Sequence, residues 1–325
     1  MKNFIKKIQN TAFQHNLWRK GFKIVLGVSG GPDSACLLDI MAKLSPKYDL
    51  HLIIAHVNYG LRGRDSERDE RSVKKLGENY GVKVLTLSPS PSPKAIGRIE
   101  MPSENELRDI RYKFFEKIRS ENNFDMIAVA HNADDQVETF LMRVIRGAGL
   151  KGLSAMKYKN GKLIRPLLGT TRAEILGYLK KNKLTCRTDQ TNKTDLFFRN
   201  KVRNQLIPYL EKNFNPKIKM TIFDSIISIA EDHSLIQNLV EKVYRANKNN
   251  PRWSAQKLGK LEPALKKRIL LKIISEKKPG LKDITAHNIL EIIKAIKSTK
   301  SKNQSVTFKG LKMMRKGDRV TLDNF

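Results

Sequence analysis

The sequence predicts an α/β protein: a parallel-sheet domain followed by a mainly helical C-terminal region with a small β-hairpin. Three observations carry that expectation. Short apolar runs alternate with helix-length segments through the first half, at Ile24–Val28, Leu50–Val57, Val82–Leu87 and Met126–Ala130. Strands at that spacing imply βαβ units. From about Lys217 the texture becomes helical, and near the end a short stretch alternates around two glycines.

The first strand, KIVLGV, runs into Ser29-Gly30-Gly31-Pro32-Asp33-Ser34 and then into a helix pattern over Ala35–Leu44. Adjacent glycines flanked by serines, at the start of a helix, direct backbone N–H groups and a partial positive charge toward one point, which suits a phosphate. The Walker A pattern fails because no lysine follows the glycines. Gly27-Val28-Ser29-Gly30-Gly31 matches the nucleophile-elbow pattern formally, but only one strand precedes it, where an elbow follows several. The segment does match, at every fixed position, the SGGxDS loop of the PP-loop ATP pyrophosphatases. Those enzymes cleave ATP between the α and β phosphates.

Ligands in parallel sheets bind at the carboxyl ends of strands. Polar clusters stand at three such ends: Ser29–Ser34, His56-Val57-Asn58-Tyr59 and His131–Glu138. Val82–Leu87 leads instead into Ser88-Pro89-Ser90-Pro91-Ser92-Pro93, which reads as a loop or lid. Further on, Ile222, Ile226, Ile229, Ile236, Val240 and Val243 recur at helical spacing and define one long amphipathic helix. Asn247–Pro251 reads as a linker. Helical patterns follow over Ala264–Ile274 and Ala286–Ile296, then a break at Ser298–Asn303 and a hairpin pattern over Ser305–Leu322 around Gly310 and Gly317. These boundaries give two expected domains, 1–216 and 217–325.

Composition narrows the partners. The 325 residues carry 63 lysines and arginines against 32 aspartates and glutamates, a net charge of +31. Residues 218–325 alone hold 23 basic and 10 acidic side chains. Such a surface attracts polyanions, RNA or DNA first, although a lysine-rich composition bias would raise the same count. Two cysteines, Cys36 and Cys186, exclude a disulfide framework and a CxxC metal site. The N-terminal stretch lacks a signal-peptide core and no run of about 20 apolar residues occurs, so a cytoplasmic protein with no membrane partner is expected.

Six spaced motifs together resemble one family, the tRNA(Ile)-lysidine synthases. After SGGPDS come HVNYGLRG (56–63), ENELRDIRYKFF (104–115, with Leu107 where alanine is usual), and AHNADDQVET (130–139) running into RGAGLKGLSAM (146–156). RPLL (165–168) and DQTNKTDLFFRNKVR (189–203) complete the set. The resemblance covers about residues 22–210. One departure stands out: the family usually has a His-His pair where this chain has His131-Asn132. The chain is also shorter than the longer members.

The resemblance implies a PP-loop catalytic domain and a basic tRNA-binding C-terminal region. It implies a ligase acting on the wobble cytidine of a CAU-anticodon isoleucine tRNA, using ATP and Mg²⁺ and joining free L-lysine to carbon 2 through an adenylated base. It carries Asp33, His131, Asp135 and Glu138 forward as catalytic residues. Ser29, Gly30, Gly31, Pro32, Asp33, Ser34, His56, Asn58 and Arg62 become candidates for binding ATP. Asp135, Glu138, Arg199 and Arg203 become candidates for binding lysine.

The residues themselves leave alternatives beside those roles. Asp33 in a phosphate loop is repulsive unless it holds Mg²⁺; its other use is to cap the following helix. Asp135 and Glu138 (i, i+3), like Asp134 and Glu138 (i, i+4), share a helix face and call for a cation, either Mg²⁺ or a lysine ammonium, or else these carboxylates form a solvated acidic first turn. His56 can be structural or can line the pocket. Arg199 and Arg203, one turn apart, suit a phosphate or the lysine carboxylate, or a wet helix face. The long helix from residue 219 is a candidate for pairing with a second copy. A PP-loop tRNA thiolase would need a cysteine pair, and a non-catalytic RNA-binding protein would not explain the carboxylates.

Overall fold

A computed structural model describes residues 2–61, 63–88, 102–184, 186, 197–247, 253–281, 284–299 and 303–324. Two compact units divide the chain, Met1–Ile229 and Ala230–Phe325.

The first unit is built on a six-stranded sheet of β1 (Lys23–Gly27), β2 (His51–Val57), β3 (Val84–Leu87), β4 (Met126–Ala128), β5 (Lys159–Asn160) and β6 (Leu163–Ile164). Its order is β3-β2-β1-β4-β6-β5, parallel throughout except for the antiparallel β5–β6 pair. Both faces are covered, so the strands read as continuous apolar runs rather than as alternation. Ile24 and Leu26 point into the core shared with α1 (Lys2–Gln14), α2 (Pro32–Tyr48) and α7 (Arg172–Lys181). Val25, Ile53 and Ile127 point to the opposite face, against Phe115 and Ile118 of α4 (Glu104–Glu121). The helix α3 (Arg64–Tyr80) adds Val73 to the first core.

Gly27 ends β1 because no side chain fits there. A Cβ would lie 2.7 Å from the Phe115 ring. The first core also holds one buried carboxylate, Asp39 of α2, 2% exposed. It accepts hydrogen bonds from Tyr80 Oη of α3 (2.8 Å), Tyr178 Oη of α7 (2.5 Å) and Lys43 Nζ (2.8 Å). Three helices on one side of the sheet are thereby joined at a single point, with the charge balanced as buried ions require.

After β4, α5 (Ala133–Ile145) and α6 (Leu150–Leu153) lead to the β5–β6 ribbon and α7. Then come α8 (Phe198–Lys201), a π-helical segment (Val202–Leu206), α9 (Ile207–Asn213) and the 30-residue α10 (Ile218–Asn247). Ile222 and Ile226 of α10 pack with Val137, Val202 and Ile207. The division between the units falls inside α10, whereas the sequence marks a change at its start.

In the second unit Val240 of α10 joins α11 (Ala255–Lys260), α12 (Pro263–Lys277) and α13 (Ala286–Lys297) around Ile269, Ile274, Ile292 and Leu311. The expected hairpin is part of a larger sheet. β8 (Gln304–Phe308), β9 (Leu311–Lys316) and β10 (Arg319–Asn324) form an antiparallel meander, and β7 (Trp253–Ser254) adds a fourth strand. Lys309 and Gly310, both with positive φ (49° and 73°), make the two-residue turn that matches strand twist. Among the described residues no helix is long and apolar enough to cross a membrane. Most of the Ser88–Pro93 loop and of the Asn247–Pro251 linker lies outside the described residues.

Candidate active site at the carboxyl edge of the sheet

The loop after β1 is held open by its own serines. The Ser29 N–H donates to Ser34 Oγ (3.2 Å), and Ser34 Oγ donates to the Gly31 carbonyl (2.9 Å). Gly30 sits at φ +87°, a conformation that glycine adopts without penalty. Gly31 is the N-cap of α2, with Pro32 next in the helix. Since Gly31 has no side chain to cap the helix, the first-turn N–H groups remain available to an anion.

Asp33 is not the cap, so that alternative falls away. Its Oδ2 is paired with the guanidinium of Arg172, the first residue of α7. Its Oδ1 is buried without a hydrogen-bond partner. Burial pushes the Asp33 carboxyl above its ordinary range, with Arg172 pulling the other way and the nearby Asp135 adding to the rise. The backbone N–H of Arg172 donates to Asp134 (2.7 Å), so one residue of α7 ties the phosphate loop to α5.

Asn132 is the N-cap of α5 in a reciprocal capping box. Its Oδ1 accepts from the Asp135 N–H (3.0 Å), and Asp135 Oδ2 accepts from the Asn132 N–H (3.0 Å). Asparagine is among the strongest N-caps, so the residue in the second-histidine position has a clear local use.

Asp135 and Glu138 do share a cation, and it is Arg203. Glu138, 2% exposed, takes Arg203 Nε at 2.5 Å and Nη2 at 2.9 Å, while Asp135 lies 3.3 Å from the same guanidinium. Arg199 approaches Glu138 at 3.7 Å and Glu104 at 3.8 Å and donates to Thr139 (3.2 Å). Burial lifts the Glu138 carboxyl against the pull of Arg203. Asp134 departs from the expected set: it faces Arg172 and, at 3.7 Å, Lys219. The solvated acidic turn and the wet basic face are both set aside for these residues.

His56 and Asn58 are each tied to the scaffold, and the Nε2 of His56 is buried without a hydrogen-bond partner. Buried His56 donates from Nδ1 to the carbonyl of Val28, just before the phosphate loop (2.8 Å), and burial lowers its pKa. Asn58 donates to Glu70 (3.0 Å) and accepts from the Gly60 N–H (2.9 Å). Glu70 also receives Lys74 and Ser88 and is held down at about 2. Arg62 lies outside the described residues.

His131 lies between β4 and α5, with its Nδ1 buried and unpartnered. Burial, together with Arg165, Arg108, Arg199 and Arg111, lowers its pKa well below the usual value. Both effects disfavour the imidazolium form.

Several of these residues escaped sequence reasoning. Arg172 lies 139 positions from Asp33 and in no motif that we read. Arg108, Arg111 and Arg165 stand inside quoted motifs, but nothing local marks them as site residues. Among the described residues no group of three or more His, Cys, Asp and Glu side chains is placed to hold a metal ion.

The family model described as "PP-loop domain" matches residues 1–210. The chain is 32% identical to the tRNA(Ile)-lysidine synthase of Clostridioides difficile, over 98% of this chain and 70% of that protein. The chain belongs to the tRNA(Ile)-lysidine synthase family. The family's Clostridium tetani member is 41% identical over 65% of this chain and 45% of its own length. The Geobacter sulfurreducens member is 39% identical over 74% and 51%. This chain thus spans about half the length of several curated relatives that it matches. A solved U34-tRNA thiolase from Methanococcus maripaludis shares the fold, with a TM-score of 0.57 and 24% identity over 71% of this chain and 78% of that one.

Proposed function

We propose that this protein ligates free L-lysine to carbon 2 of the wobble cytidine in a CAU-anticodon isoleucine tRNA, consuming ATP and releasing AMP and pyrophosphate. The observation that carries the reading is the convergence of Asp33, Asp135 and Glu138 beside an open phosphate loop, in a chain belonging to the lysidine synthase family.

In the first step the cytosine O2 attacks the α-phosphorus of ATP and pyrophosphate leaves. Charge grows on the leaving oxygens, where the loop amides and serine hydroxyls of Ser29–Ser34 stabilise it without reorganising. Asp33 would hold Mg²⁺ through its unpartnered Oδ1, and that ion would offset phosphate charge. In the second step the bound ammonium first gives up a proton to water, the free ε-amine attacks carbon 2, AMP departs with the former O2, and the new C–N nitrogen passes its extra proton to water. Asp135 and Glu138 read the ammonium group. Arg203 fixes both carboxylates in place, which makes it a positioning residue. His131, whose surroundings disfavour its protonated form, would contribute a hydrogen bond from its unpartnered Nδ1 rather than a charge.

Pyrophosphate and AMP release, measured with ATP and Mg²⁺ with and without lysine, tests the reading. The substrates are a CAU-anticodon isoleucine tRNA transcript and one with the wobble cytidine replaced. Lysine-dependent AMP release on the first alone is expected. Turnover indifferent to the wobble base would overturn the proposal, as would a protein that binds RNA without turning over ATP.

A further inference from the structure

Arg165, Arg111 and Arg108, whose charges all act on His131, have no carboxylate partner among the described residues. Arg165, immediately after β6, is 4% exposed. It donates to the Lys157 carbonyl (2.8 Å) and lies beside the Tyr112 phenol, and its Nε is buried and unpartnered. Arg111 of α4 donates to Tyr59 Oη (3.0 Å), which in turn donates to the Leu107 carbonyl (2.9 Å). Arg108, one turn earlier, lies over the Tyr112 ring at 4.8 Å. Each contact orients a guanidinium and none neutralises it. For buried Arg165 the missing counter-charge is costly, and the unpartnered, buried His131 Nδ1, on which its charge acts, is a second unmet polar group.

An anion is what this group of side chains lacks. The ATP phosphates already have donors in the loop after β1. Arg165 follows β6, and β4 lies between β6 and β1, which puts it roughly 10 Å away across the carboxyl edge of the sheet at ordinary strand spacing. In phosphoryl transfer the attacking and leaving oxygens lie roughly in line, so the incoming base approaches from the side away from the pyrophosphate-binding loop. We propose that Arg165, with Arg108, Arg111 and His131, receives a backbone phosphodiester of the RNA substrate next to the wobble cytidine. This inference rests on the function proposed above and assigns part of the RNA contact to the catalytic unit itself.

The test is a chemical double-mutant cycle on the full-length protein. An anticodon stem-loop RNA with a CAU loop is titrated without ATP. It is then titrated again with a neutral methylphosphonate replacing, one at a time, each phosphate flanking the wobble cytidine. One replacement is expected to weaken wild-type binding about tenfold or more, the scale of one charge-assisted contact. Arg165→Gln should weaken the unmodified RNA similarly and be indifferent to that same replacement, with Arg165→Lys in between and the ATP KM little changed. Arg165→Gln should also melt no lower than wild type, because it removes an uncompensated buried charge. If it does not fold, Arg108→Gln in the same cycle supplies the readout.

Additive losses, or undiminished binding by the variant, would overturn the inference. So would a loss confined to ATP affinity, which would assign these side chains to the nucleotide. If wild type makes lysidine yet ignores both replacements, only this inference fails. If wild type does not distinguish a wobble cytidine, the functional reading fails first and this inference falls with it.

Discussion

Arg203 grips Glu138 through two nitrogens, at 2.5 and 2.9 Å, and reaches Asp135 at 3.3 Å. A protein cation thus holds the two carboxylates that the proposed lysine ammonium must also find.

Removing one partner of this set leaves the other uncompensated. Glu138→Ala is expected to raise the lysine KM far more than the ATP KM, and to cost about 1–3 kcal/mol in urea unfolding. Adding Arg203→Met should recover part of the stability loss but none of the lysine affinity. Equal effects on the two KM values would remove Glu138 from the lysine-reading role.

The cap of α5 makes a cleaner stability prediction. Asn132→Ala should lose about 1 kcal/mol, while Asn132→Ser should stay within a few tenths of wild type. Urea midpoints for the two variants decide it, and equal losses would show that the capping box contributes little.

Stability should fall on the acid side of neutrality. His131 and His56 have native pKa values below the unfolded value of 6.5. The unfolded chain therefore takes up protons first as pH drops, and stability present above 6.5 is lost below it, by up to about 1.4 kcal/mol per pH unit for each histidine. Asp33 and Glu138, raised above 3.8 and 4.5, act in the opposite sense: their contribution is present at low pH and is lost as pH rises through the native values. Urea unfolding from pH 7 to 5 should be less pH-dependent in His131→Gln than in wild type. Parallel curves would mean that His131 titrates normally.

Gly30→Ala forces a side chain into positive φ at a cost of about 1–2 kcal/mol. The ATP KM should rise at least tenfold as the loop distorts. Gly161→Ala, at φ +58° and with no neighbour within 4 Å of the added carbon, carries the same kind of backbone cost without the kinetic effect. Matching kinetics in the two variants would separate loop shape from ATP binding.

What could be read in the sequence was local. Continuous apolar runs marked β1, β2, β3 and β4, and 3.6-residue spacing marked α10, because burial on both sheet faces and on one helix stripe leaves those signatures. β5 and β6 have two residues each, too few for any periodicity. The hairpin was visible through its glycines, but β7 was not, being two residues long and paired with β10 across a long stretch of sequence (Ser254 with Arg319). In the site, Asp33, Asp135 and Glu138 announced themselves through motif and helix spacing. Arg203 was marked by its motif as a partner of the substrate rather than of these carboxylates, and Arg172 was not marked at all, since both meet their carboxylates only through tertiary packing.

The Asp39 node has a consequence for how this chain can diverge. Tyr80, Tyr178 and Lys43 come from three helices and each satisfies the same buried carboxylate. Losing one donor strands part of a charge, whereas exchanging the whole set for apolar side chains of matching volume strands nothing. Relatives should therefore carry the four residues together or lack them together, and the intermediates should be rare enough for an alignment to register these positions as a single inherited block.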